Sequence, residues 1–565
     1  MPRFTVPPNF IGTQGSDSLV GEELNASLAI GIDILTGGFI HTRSGDDTIQ
    51  GKGISGLTDT GIGIINNGSL DTGNGNDTLI ATGRGGFSSP VGNGIGIINN
   101  SSLDTGNGND TITTNGRGGN GAFGARSQGG IGTGLNNSGI LDTGNGNDTI
   151  TSSGGGGWGS DSSAGNGGGN GSDGIGIANS GTLDTGNGND TITSSGSGGS
   201  GGSSTTIGGN GGDGTGLNNS GTLDTGNGDD TITSTGNGGS GTGWRANGGD
   251  GGDGTGLANT GTLDTGDGKD TIIGTGRGGE GGFGDNIANP WFPTPGNSNG
   301  GNGFGIANSG NLSTGNGKDT IIGTGTGGNG RSTGYGGIGI GVSNSRSLDT
   351  GDGHDIITGT GTGGEARASN NGTGIGIRNI QNATITTGQG NDTITGSGNT
   401  SGVNAITYGI FNNGVIDTGK GDDILTGHAT TTIDGTAYGI YGQGSINTGG
   451  GDDTIIATST VNGVQQRVSI GGGITVDLGS GNDYFKGFGS GTVEGGKGFD
   501  ILDLSDFHRS ELIVSGVASG DTLKPANIII NNNENSIPTT LYVTGFEKFI
   551  FADSSFSYNA LANGA

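Results

Sequence analysis

Aspartates return along this chain at a nearly constant place beside paired glycines. The fullest form is Gly181–Thr193, GTLDTGNGNDTIT, whose second Asp recurs as Asp77, Asp110, Asp148, Asp190, Asp230, Asp270, Asp319, Asp355, Asp392, Asp423, Asp453, Asp483 and Asp500. Weaker copies surround Asp17 and Asp47. A carboxylate is a hard oxygen donor, and glycines beside it let turn carbonyls converge, because Gly takes positive φ without cost. Oxygens of both kinds at one turn suit calcium, which takes six to eight of them. The turn glycines assigned to this role are Gly73, Gly75, Gly106, Gly108, Gly144, Gly146, Gly186, Gly188, Gly226, Gly228, Gly266, Gly268, Gly496 and Gly498. A single turn offers too few donors. Two turns stacked about 4.8 Å apart would together supply two carboxylates and several carbonyls, which places one cation between successive repeats. Charge is compatible: roughly 14 gaps filled by divalent ions would carry about +28 against a formal net charge of −30.

Stacking demands regular elements. The aspartates are 30 to 49 residues apart until the last interval of 17, and such a period signals a solenoid. The expected fold is all-β: a single elongated parallel β-solenoid of the β-helix or β-roll type with a small C-terminal β cap. Each coil opens with an alternating segment such as GIGIANSG (Gly174–Gly181), in which Ile175 and Ile177 would share one face. The strand TLDT, the turn GNGN and the strand DTIT follow, with aliphatics inward and Asp, Thr and Ser outward. Roughly 15 coils at about 4.8 Å would make a rod about 70 Å long. Three segments are expected: an irregular N-terminal lead-in with weak repeats over 1–50, the calcium-binding solenoid over 51–503, and a C-terminal β cap over 504–565.

Two further regularities accompany the motif. Asn66, Asn99, Asn137, Asn179, Asn219, Asn259, Asn308, Asn344 and Asn412 stand four residues before its first aliphatic. They read either as an amide stack at a coil corner or as residues that merely suit a turn. Between DTIT and the next coil lie Gly-rich inserts of variable length, which all leave at one corner. They are either flexible loops or extended strands packed into a second layer. Trp158, Trp244 and Trp291 lie within them, as packing against Gly surface or as a sugar platform, and Asn289–Pro293 interrupts the longest.

Composition narrows the function. Of 565 residues, 145 are Gly and only 26% are hydrophobic, which alone would suggest disorder; the in-register aliphatics argue for order. With 51 acidic against 21 basic residues there is no basic stripe, so no nucleic-acid partner is expected. The absence of Cys excludes disulfides and thiolate metal sites. No apolar stretch reaches membrane-spanning length, and MPRFTVPPNFIG does not read as a signal peptide. An extracellular or cell-surface protein exported by another route is expected.

The segment GGKGFDILD (Gly495–Asp503) resembles the nonapeptide of repeats-in-toxin, or hemolysin-type calcium-binding, proteins. TGNGNDTIT resembles it from the second Gly onward, and the ending VTGFEKFIFAD is similar to the segment that closes many such proteins. The resemblance implies a calcium-loaded parallel β-roll, folding outside the cell, and type I export read from an uncleaved C-terminal signal, which it assigns to 504–565. Family members place nonapeptides in tandem, whereas here one occurs per coil. The rest of the coil resembles the Gly–Ile–Asn repeats of adhesin β-helices, so a wider solenoid with a single calcium edge is expected. Asp17 and Asp47, preceded by Thr13 and Arg43 where Gly belongs, are not expected among the binding positions.

The leading functional expectation is a secreted or cell-surface structural or adhesive protein. Its partners would be calcium, cell-surface polysaccharide, or like molecules side by side. A polysaccharide lyase or epimerase is the catalytic alternative, weakened by the scatter of His41, His354, His428 and His508. Asp-Thr-Gly also marks aspartic proteases, but copies repeated along a solenoid form a ladder, not a facing pair. A calcium-dependent ice-binding solenoid is a further alternative, with Thr72, Thr105, Thr143, Thr185, Thr225 and Thr265 as its regular threonines, although alternation after an outward Asp would turn these inward.

Overall fold

The computed structural model describes residues 2–88, 91–124, 126–162, 167–243, 248–283, 297–366, 371–432, 434–516, 526–530 and 539–562. Each coil contributes three strands, for example Gly174–Asn179, Thr182–Asp184 and Thr191–Ser197. First strands pair in parallel with first strands of neighbouring coils, second with second and third with third. The chain is therefore an all-β parallel solenoid.

Three aliphatic columns fill its interior. In one coil they are Ile177, Leu183 and Ile192, all 0% exposed. Because each coil needs only these few large side chains, a chain this poor in hydrophobic residues still forms a continuous core. Ile175 does not share the face of Ile177: it is half-buried, and its partners in adjacent coils are Thr133 and Thr215. The alternation breaks at Gly176, whose missing Cβ would fall 2.4 Å from the Gly216 carbonyl. That close approach turns two consecutive positions inward.

The first 50 residues are not an irregular lead-in. Phe4–Val6, Phe10–Ile11 and Ser18–Ala26 form one coil, and Ala29–Ile34, Phe39–His41 and Thr48–Ser55 the next. They pair in register with each other and with the following coil. Their inward aliphatics keep the coil although the turn sequences drift.

At the far end, Thr540–Thr544 and Lys548–Phe551 pair in parallel with Gly489–Glu494 and Ile501–Leu504, completing a last coil. The antiparallel strands Leu512–Ser515, Ala526–Ile530 and Ser555–Ser557 then add to it. Phe507, Phe546 and Phe549, each 1% exposed, close the core beneath them, so the terminal edges do not stand open.

The Gly-rich inserts form an ordered second layer. In the insert after Thr191–Ser197, Gly198 and Gly201 donate to Asn237 and Ser240 of the next outgoing leg, while Gly199 and Gly202 donate to Ser172 and Gly169 of the preceding return leg. On the way back, Gly209 and Gly212 donate to Gly202 and Gly199, and Gly211 and Gly214 to the next return leg. Donors thus recur every third residue, the period of a polyproline II strand. The sequence signal is the triplet Gly-Gly-x. A Cβ at Gly199 or Gly202 would lie 1.9 Å from a carbonyl oxygen, while third positions such as Ser203, Asn210 and Asp213 are exposed. Trp158 occupies such a third position and is 58% exposed. Trp244, Trp291 and Asn289–Pro293 lie outside the described residues.

Candidate metal sites

The turn between second and third strands is shaped by glycine. All the turn glycines assigned above except Gly268 have positive φ, such as 78° at Gly186 and 144° at Gly188. Gly268 instead forms a bridge to Gly317. Turns of adjacent coils approach so closely that a Cβ at Gly186 would fall 1.7 Å from the Gly144 carbonyl oxygen, and one at Gly188 1.6 Å from that of Gly146. Turn carbonyls therefore line the gaps between coils.

The second Asp of the motif points inward, not outward. All thirteen expected positions from Asp77 to Asp500 are at most 1% exposed. One carboxylate oxygen is used structurally: the Asp190 N–H donates to Asp230 Oδ1 at 2.7 Å, and the Asp230 N–H to Asp270 Oδ1 at 2.9 Å. The same bond joins every successive pair from Asp17 to Asp500, and the Asp500 N–H donates to Glu547 Oε2 at 2.7 Å. Glu547 lies in the closing segment VTGFEKFIFAD and ends the column; its place was not legible from spacing.

The other oxygen is the chemically informative one. Oδ2 of Asp47, Asp77, Asp110, Asp148, Asp190, Asp230, Asp319, Asp355, Asp392, Asp423, Asp453, Asp483 and Asp500 is buried with no partner in hydrogen-bonding geometry among the described residues; in most coils only a threonine hydroxyl, such as Thr225 beside Asp230, stands near the carboxylate. Asp270 differs in that its Oδ2 accepts the Thr265 hydroxyl at 2.7 Å. Of the weak copies, Asp47 is a full member of the column, because Arg43 takes the glycine-like φ of 83°. Asp17 is not: its Oδ2 accepts the Thr13 N–H at 2.6 Å.

A row of buried, unpartnered carboxylate oxygens is costly unless something neutralises it. Burial pushes the carboxyls of Asp110, Asp190 and Asp230 up to about 6, and those of Asp148, Asp355 and Asp453 up to about 7, against the opposing pull of the donated N–H and, more weakly, of the threonine hydroxyl five residues earlier. A proton or a cation can fill the role. No three Asp, Glu, His or Cys side chains converge among the described residues, so a cation here would be held by carboxylates of successive coils completed by turn carbonyls and water. That donor set is all oxygen, and it fits a hard cation.

Sequence reasoning overlooked the first Asp of the motif as part of this edge. Asp104, Asp142, Asp184 and Asp224 each accept the N–H two residues on, as at Gly106 with 2.9 Å. They stack in register beside the turn. Burial first, then the neighbouring Asp142 and Asp71, raise the Asp104 carboxyl.

The threonines considered for ice contact are interior. Thr72, Thr105, Thr143, Thr185, Thr225 and Thr265 are at most 1% exposed, and Thr72 donates its hydroxyl to the Thr105 carbonyl at 3.1 Å. The amide column is a hydrogen-bonded ladder. Asn137 Nδ2 donates to Asn179 Oδ1, and Asn179 Nδ2 to Asn219 Oδ1, both at 2.8 Å. Asn379 joins it between Asn344 and Asn412; two extra residues at the following corner, with Asn382 at φ 67°, hid it from the four-residue rule. The histidines are dispersed: His41 pairs with Asp71, His354 accepts the Asn391 N–H, His428 contacts Thr458, and His508 lies near Asp553.

No protein-family model matches this chain, and no curated protein does. Among solved structures it is similar to a hyperactive, Ca2+-dependent, β-helical antifreeze protein from an Antarctic bacterium, at 15% identity over 97% of this chain and 94% of that one, with a TM-score of 0.32. The likeness is weak in both sequence and superposition, and the functional reading rests on this chain's own residues. Among the described residues no helix is long and apolar enough to cross a membrane.

Proposed function

We propose that this chain is a calcium-stiffened rod of the cell surface or extracellular space, with a structural or adhesive role and no catalysis. The observation that carries the reading is the column of buried Asp Oδ2 atoms without partners. Calcium fits better than magnesium, because irregular sets of carbonyl and carboxylate oxygens suit its flexible coordination, while magnesium demands a near-ideal octahedron and keeps its water. The ligands would be consecutive pairs such as Asp190 and Asp230, with carbonyls of Gly186, Gly188, Gly226 and Gly228. Bound calcium would supply the positive charge that lets the column stay ionised. The resemblance to repeats-in-toxin sequences supports the same reading and suggests type I export.

The test is to strip the full chain of metal at pH 8, add calcium, remove the excess by gel filtration, and count retained ions by mass spectrometry while following circular dichroism. About one ion per gap, with a cooperative gain of β signal, is expected. A chain that retains no calcium and keeps an unchanged β spectrum sinks the proposal.

A second reading has an observation of its own. Third strands present outward threonines in two parallel columns, Thr111, Thr149, Thr191 and Thr231 beside Thr113, Thr151, Thr193 and Thr233. Side chains repeating about 4.8 Å along the rod and about 7 Å across it form a flat lattice of hydroxyl and methyl groups, which favours the ice-binding alternative. Thermal hysteresis of the calcium-loaded chain, abolished by Thr151→Tyr, would support it; its absence in the unsubstituted chain would eliminate it.

A further inference from the structure

The early inserts carry side chains that the calcium reading leaves unused. Arg84 and Arg117 are register partners on adjacent third strands, and both are exposed. Among the described residues neither forms an ion pair with a carboxylate, as Arg3, Lys52, Arg331, Arg467 and Lys486 do. Like charges directly opposite in a ladder destabilise it. The neighbouring inserts do contain Asp59 and Asp161, but these accept backbone N–H groups of Thr60 and Ser203. A later cluster shows the contrast. There Arg331 pairs with Glu280 and lies over the Phe283 ring at 4.4 Å; that arginine is already neutralised.

Arg84 and Arg117 border a groove of about 350 Å³ together with Phe87, Asn120 and Phe123. It continues into a second groove of about 630 Å³ that shares Arg84 and Phe87 and adds Leu57. The two make a trough along the rod axis, crossing successive coils. Phe87 is 54% and Phe123 78% exposed, too open for core residues. The floor is bare backbone: a Cβ at Gly118 or Gly119 would lie 1.8 Å from a carbonyl oxygen, so no side chain can interrupt it. Rings on a flat floor offer stacking faces to the C–H faces of sugar rings. Guanidinium forks match carboxylate geometry, and the coil rise of about 4.8 Å is close to the length of one sugar ring in an extended chain.

We propose that this trough binds an acidic polysaccharide lengthwise, with Arg84 and Arg117 on successive acid groups and Phe87 and Phe123 beneath the rings. The inference stands on the insert layer and is independent of what fills the Asp column. Trigalacturonate, too short to gel with calcium, is titrated calorimetrically into the calcium-loaded full chain. Saturable binding is expected, weakened at least about tenfold in R84Q/R117Q and about three- to tenfold in Phe123→Ala, with β spectra unchanged. The methyl-esterified trisaccharide should not bind. If a sulfated trisaccharide binds more tightly with the same Arg dependence, the acid group is sulfate rather than carboxylate. In the ligand-free protein, Arg117→Gln alone should raise the melting temperature, since it removes a like-charge contact; a fall would make the pair structural and overturn the proposal. Equal binding by unsubstituted chain and R84Q/R117Q, tighter binding of a short polyglutamate, or no binding at millimolar trisaccharide would each overturn it as well.

Discussion

At the turn edge, Asp190 and Asp230 meet across one coil step through a donated N–H, with an unpartnered carboxylate oxygen on each side. At the insert corner, Gly199 and Ser172 of the preceding coil meet through an N–H to a carbonyl, with no charge at all. Both contacts repeat along the same axis, yet they differ in what they need. The Gly layer is satisfied by backbone alone, whereas the Asp column requires protons or cations from outside. One edge therefore makes the rod responsive to its medium, and the other holds coils together regardless of it.

The sharpest way to separate the two edges is pH in the absence of metal. Burial pushes column carboxyls such as those of Asp110 and Asp190 up to about 6 and those of Asp148 and Asp453 up to about 7, above the unfolded value of about 3.9. A group raised in the folded state contributes stability that is full below the unfolded value and is lost as pH rises through the folded one. Metal-free protein should thus melt highest at or below about pH 4, lose stability steadily between about pH 4 and 7, and change little above that. Calcium-loaded protein should show the opposite slope over that window, because protons compete with the metal. Parallel melting curves with and without calcium would erase the distinction between the edges.

A smaller, local effect should follow from Gly199→Val. Its side chain must displace the Gly157 carbonyl, 1.9 Å from the ideal Cβ, at a cost of about 1–3 kcal/mol. Hydrogen exchange should quicken at the inserts while calcium stoichiometry holds; a lost ion would mean the edges are coupled. Asn179→Ala tests a third, interior device. It leaves Asn137 Nδ2 and Asn219 Oδ1 short of a partner, costing about 1–3 kcal/mol with or without calcium. A cost that vanishes on adding the metal would tie the amide ladder to the Asp column.

The smallest global change should come from Asp230→Asn, one step in a long column. It keeps an oxygen for the Asp190 N–H but removes a buried charge, so metal-free protein at pH 8 should gain stability. Calcium-loaded protein should lose it, along with ions from the two flanking gaps only. A change of the same sign in both states would break the proposal that charge there awaits a cation.

Much of this was legible in the chain because a solenoid repeats its contacts in sequence order. The coil, the Asp register and the paired glycines could be read from Gly181–Thr193 alone, since a fixed residue at a fixed period must stack on its own copies. For the Gly-rich inserts the sequence left flexible loops and a packed second layer as alternatives, because the bonds that decide between them join different coils. Asn379 escaped because two extra residues changed the spacing, and Glu547 because it reaches the column from a different segment.

Sequence by itself determined the fold class, the repeat and which aspartates stack on one another. Tertiary structure decided which way they face. Period-two alternation names two sides of a strand but not which is interior, and at a turn it fails altogether. Only the stacked coils reveal that Thr72 and Asp77 point into the core, that Arg43 can take a glycine's place, and that Arg84 and Arg117 stand side by side. Those facts depend on neighbours a full coil away, and close approach between coils is what a linear pattern does not encode.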